Sequence, residues 1–124
     1  MNYWLVLASA LSLLTCGVHI FAGGREIHTP MIASALHPVM KAIWSVVWHA
    51  VTIIMLMNAV AFLYAAQNPD TAWIVSIYPI VTSLACAGLF LFYGVARLGS
   101  IWPMPHWIAF LAIACFGIAG VAAV

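Results

Sequence analysis

The chain has 124 residues, of which 68% are apolar and only 4% charged, with a formal net charge of +1. A water-facing domain carries about 25% charged residues to wet its surface, so this composition excludes an ordinary soluble domain and points to hydrocarbon as the main solvent. There is no basic run or acidic tail, so nothing points to nucleic acid as a partner.

The first element along the chain is a membrane span over residues 3–22, which the sequence predicts to stop at Gly23-Gly24. A helix needs about 20 apolar residues to cross a hydrocarbon core of roughly 30 Å. No basic residue precedes this run, and it is longer than the apolar part of a secretory signal, so it reads as a retained span. In the connection that follows, "TPMIASALH" predicts a short interfacial helix with Thr29 as N-cap and Pro30 in its first position.

The second span covers 38–66 and is entered at Pro38, whose missing N–H costs nothing in a first turn. A short "QNPD" turn leads into the third span, 71–97, where Pro79 predicts a kink. After "WPMP" the fourth span covers 106–124. Trp4, Trp73, Trp102 and Trp107 fall near span ends, where an amphipathic ring sits well among lipid headgroups. The expected fold is all-α. It is an integral membrane four-helix bundle, one domain over 1–124, with four transmembrane spans and an interfacial helix between the first two.

Arg25, Lys41 and Arg97 all belong to connections on one side, while the other side holds Asp70 and no lysine or arginine. The positive-inside rule makes the cationic side cytoplasmic and places both termini on the outer side.

Rows of small and weakly polar residues mark helix faces that pack closely in lipid. Ser9, Ser12, Cys16, His19 and Gly23 form such a row on the first span, and Ser45, His49, Thr52 and Ala59 on the second. Ser76, Ser83 and Ala87 do so on the third, and Ala109, Ala112, Cys115, Ala119 and Gly120 on the fourth. All four rows are expected to face inward, with His49 in the bundle interior. At 1.5 Å per residue, His19 lies roughly 6 Å and Cys16 roughly 11 Å from the cytoplasmic end of its span. His49, Cys86 and Cys115 come out roughly 12–16 Å deep, so these five groups could share one layer.

That layer admits several chemistries. A b-type haem could be bound by His19 and His49, since haem iron accepts axial histidines and helix bundles house such sites. Copper or zinc could be held by Cys16, His19 and His49, where the C-x-x-H spacing puts thiolate and imidazole on one face. The plainest alternative is packing, in which His49 hydrogen-bonds a neighbouring helix and the single cysteines act as small hydrophobes. His28, His37 and His106 read as solvated surface histidines. Small multidrug pumps also have four short spans, but they need a carboxylate within the membrane, and Glu26 and Asp70 both fall at span ends. The three cysteines form no C-x-x-C, which removes a disulfide-exchange enzyme.

The segments "GVHIFAGGREI" (17–27), "VVWHAVTI" (46–53) and "PMPHWIAF" (103–110) resemble a family of small four-transmembrane-helix bacterial inner-membrane proteins to which no activity is attached. The resemblance implies that architecture and a bacterial inner membrane, and singles out His19, Gly23, Gly24, Glu26, Trp48 and His49. His106 stands where the resemblance leads one to expect glutamine. The expected role is a small integral membrane subunit or accessory protein without catalysis of its own, embedded in the lipid bilayer as a homo-oligomer or within a larger membrane complex. A haem- or metal-binding redox module is the alternative, and a small oligomeric transporter the third.

Overall fold

Long apolar runs without solvating side chains must satisfy their backbone groups internally, and here they do so as helices throughout. The computed structural model describes residues Met1–Val124. Helix α1 runs Tyr3–Ala33 and α2 Pro38–Gln67. A 3₁₀ turn at Pro69–Thr71 leads into α3, Ala72–Leu98, and α4 spans His106–Ala122. The first two helices, and the third together with its leading turn, are long and apolar enough to cross a membrane; α4 is apolar but shorter, at 17 residues.

The four helices pack in a ring, each against two neighbours: α1 lies between α2 and α4, and α3 closes the other side. One residue ties three helix ends together. The Asn2 side chain caps α1 by accepting from the Trp4 and Leu5 N–H groups, and its amide donates to the Gly120 carbonyl at 2.7 Å. The Asn2 backbone N–H donates to the Ala66 carbonyl of α2 at 2.9 Å. An asparagine at the N-cap would bond its own first turn anyway; here it also fixes the level at which α1, α2 and α4 meet.

Leu5 lies against Gly120, and a methyl group added there would come within 2.5 Å of the leucine Cδ2. A methyl on Gly117 would meet Ile80 at 2.8 Å and the Phe62 ring at 2.9 Å. These glycines let α4 approach the bundle closely, so its small residues are consumed in internal packing. The inward face of α4 is Phe110, Ile113, Ala114, Gly117 and Gly120, with Cys115 exposed. Of the expected row Ala109, Ala112, Cys115, Ala119 and Gly120, only Gly120 is fully interior; the three alanines are half-buried and Cys115 faces outward. Ser9, Ser12 and Cys16 on α1, and Ser76, Ser83 and Ala87 on α3, are buried as their spacing predicts.

Ser9 reaches across to α2, its hydroxyl donating to the Ala59 carbonyl at 2.8 Å. Ser9→Ala is expected to lower stability by about 0.6–1.7 kcal/mol, the range of interhelical bonds in lipid. Denaturant unfolding in micelles checks this; no change would mean that the bond adds nothing beyond packing.

The first span does not stop at Gly23-Gly24. The chain continues as a π-helix over His19–His28 and returns to α-helix over Thr29–Ala33, so the expected separate interfacial helix is the last stretch of α1. Thr29 is not an N-cap; its backbone N–H donates to the Gly24 carbonyl, five residues back. A break at the glycines would have left several N–H and C=O groups without partners near the hydrocarbon, whereas a wider winding keeps them bonded.

Candidate functional site

The π-winding decides which side chains meet. In an α-helix, nine residues make about two and a half turns and place residues i and i+9 on opposite faces. With i→i+5 bonding and about 4.4 residues per turn, nine residues make about two turns. His19 and His28 consequently share one face of α1, with Gly23 between them, and that face meets Trp48 of α2.

Trp48 is the pivot of the cluster. It is 9% exposed, and its ring stacks on His19 with centroids 3.9 Å apart and planes 19° from parallel. His28 lies over it at 5.3 Å, tilted by 35°. Gly23 makes room for the indole, because a β-carbon there would stand 3.0 Å from the ring edge.

Hydrogen bonds fix both imidazoles. His19 Nε2 donates to the Trp48 carbonyl at 3.2 Å, an oxygen that also accepts from the Thr52 hydroxyl at 3.3 Å. The Ser45 hydroxyl donates to the Lys41 carbonyl at 3.0 Å, so His28 Nε2, 3.2 Å from Ser45 Oγ, is the donor in that pair. His28 is thus packed and bonded rather than simply solvated. His37 Nδ1 caps α2 by accepting from the Val39 N–H, and His106 stacks on Phe90 at 4.7 Å.

His49 is exposed, not interior. The buried face of α2 carries Trp48, Met55, Ala59 and Phe62; of the row read in the sequence, Ala59 lies on this face, Ser45 and Thr52 are half-buried, and only His49, one position past Trp48, falls off it. One residue is a rotation of about 100° on an α-helix. The large indole takes the slot over Gly23, and His49 turns to the outer rim, where its ring lies 5.7 Å from that of His28.

Between the π segment and α2 lies a groove of ≈ 1040 Å³. Arg25, Glu26, His28 and His49 supply its charged and imidazole groups, and Ile20, Phe21 and Trp48 its apolar surface. Of the positions singled out by the resemblance, Gly24, Glu26, Trp48 and His49 line this groove. His19 and Gly23 hold the indole that forms its wall.

The five-group layer does not form. Measured from the end where the termini lie, a rise of 1.5 Å per residue puts Cys16, His19, Cys86 and His49 at roughly 20–27 Å but Cys115 near 12 Å. The buried Cys16 thiol is directed at the Thr52 carbonyl, 3.9 Å away. No three His, Cys, Asp or Glu side chains are arranged to hold a metal ion, so Cys16, His19 and His49 are not brought together as ligands. A haem between His19 and His49 does not fit either. The His19 Nε2 is bonded to a backbone carbonyl and its ring face is covered by Trp48, while His49 points to the rim.

The residues missed in the sequence are His28 and Trp48 in its role as wall. Their signal was the spacing His19–Gly23–His28, meaningful only for a π-winding. The chain matches no protein-family model, no curated protein and no solved structure.

Proposed function

We propose that the chain is a four-span protein of a bacterial inner membrane, with its cationic end in the cytoplasm and both termini periplasmic. In this reading it is a small integral accessory protein without a reaction of its own, and its working part is the groove at the cationic end. The observation that carries the reading is the turn of His19 and His28 onto Trp48, which builds a binding surface from α1 and α2.

The lengths of the helices support it. At 1.5 Å per residue α2 is about 45 Å long and α4 about 26 Å, against a hydrocarbon core of roughly 30 Å. The ends of α1 and α2 then stand out of the core on one side, and the groove between them lies at its edge. The groove is also open, with Phe21, Arg25 and His49 exposed. An open groove suits holding a molecule better than excluding water from a reaction.

A reporter fused after Val124 is expected to give a periplasmic signal. Arg25→Cys is expected to react with a membrane-impermeant thiol reagent only once the cytoplasmic side is opened. A cytoplasmic reporter, or labelling of position 25 from outside, overturns this orientation and the site's place in it.

A further inference from the structure

The polarity of the groove changes along its length. On α1, Ile20 and Phe21 come first, then Arg25, Glu26 and His28 further from the termini. On α2, Thr52 precedes His49 in the same direction. Along α1, apolar side chains thus lie towards the middle of the bundle and ionic ones towards its cationic end, while α2 adds the Thr52 hydroxyl, the His49 imidazole and the Trp48 indole. A soluble anion would have no use for the first part, and a hydrocarbon chain none for the second.

We propose that the groove seats one phosphate-headed amphiphile, a phospholipid whose head carries a hydrogen-bond donor beyond the phosphate. This rests on the reading of the groove as the working site. Arg25 offers a guanidinium fork suited to phosphate oxygens, and His49, lining the same groove, an unburied imidazole N–H. Glu26 lines the same space, and a carboxylate there repels a bare phosphate. An ethanolamine ammonium or glycerol hydroxyl next to the phosphate gives Glu26 a donor to accept from. A choline head, whose nitrogen carries no N–H, does not. The acyl part lies along Ile20 and Phe21, the latter 76% exposed.

The test is native mass spectrometry of the full chain released from detergent with phosphatidylethanolamine, phosphatidylglycerol or phosphatidylcholine. One molecule of either of the first two is expected to stay bound about tenfold more than phosphatidylcholine, the ratio for one charge-assisted hydrogen bond. Arg25→Gln should lower retention of both. Glu26→Gln should lower the preference over choline, and Arg97→Gln, a cation outside the groove, should change neither. Equal retention of all three lipids, or an equal loss with Arg97→Gln, overturns the proposal. So does displacement by glycerophosphoethanolamine, the same head without acyl chains, at the concentration that the intact lipid needs. The labelling of position 25 separates the two failures: a groove that labels as expected but shows no lipid preference sinks the ligand and leaves the site in place.

Discussion

Phe62→Ala is expected to remove about 2–3 kcal/mol of stability, one of the two largest effects foreseen for a single site. Phe62 is fully buried, and its ring lies where α2, α3 and α4 meet, beside Ile80 and the bare backbone of Gly117. In a water-soluble core such a truncation costs about 3–5 kcal/mol, the sum of a transfer term and a cavity term of about 24 cal/mol per Å³. For a helix that stays in lipid when the bundle opens, the transfer term largely vanishes because lipid is as apolar as the core. The cavity left by about 100 Å³ of lost ring then sets the magnitude. Unfolding of the purified protein in mixed micelles measures it. A loss below about 1 kcal/mol would mean that the ring's slot collapses, and that the close approach of α4 is not what holds it.

The second large effect concerns the winding of α1. With Cys16, Cys86 and Cys115 replaced by serine, the pair His28→Cys and Ser45→Cys is expected to crosslink readily with a short bifunctional thiol reagent. The pair Glu26→Cys and Ser45→Cys should lag well behind. Residue 28 faces Ser45 only if the segment is π-wound, whereas in an α-helix residue 26, seven after His19, would take that face. A faster reaction at 26 would overturn the winding and with it the groove. Gly23→Leu added to the 28–45 pair should abolish the crosslink, since a side chain at 23 must displace the Trp48 ring 3.0 Å away. Overpacking of this kind costs about 1–3 kcal/mol.

Packing also leaves three buried polar atoms without hydrogen-bond partners: Asn58 Oδ1, Ser76 Oγ and Ser83 Oγ. Ser9, by contrast, bonds across to α2. Two of the three unpaired atoms belong to α3. Pro79, in the same stretch of α3, also lacks a backbone donor.

Much of the architecture was written in local sequence. Composition alone requires an apolar surroundings, and run length, Pro38 and the "QNPD" turn place the long helices, because these depend only on neighbouring residues. The inward rows on α1 and α3 were legible for the same reason: Ser9, Ser12 and Cys16, like Ser76, Ser83 and Ala87, follow one helical period. On α2 the expected row is buried at Ala59 but exposed at His49, and on α4 it is buried at Gly120 but exposed at Cys115. Small polar residues are not the only ones that let helices approach; Gly117 and Gly120 do so by receiving Phe62 and Leu5 from other helices. Trp48 and His49 differ by one position, and which of them turns inward depends on the space left by Gly23 on another helix. The tertiary structure alone decided the winding that puts His19 and His28 together, because a π segment of 10 residues makes only about two turns, too few to show its period in the sequence, and forms where packing and backbone bonding both favour a wider turn.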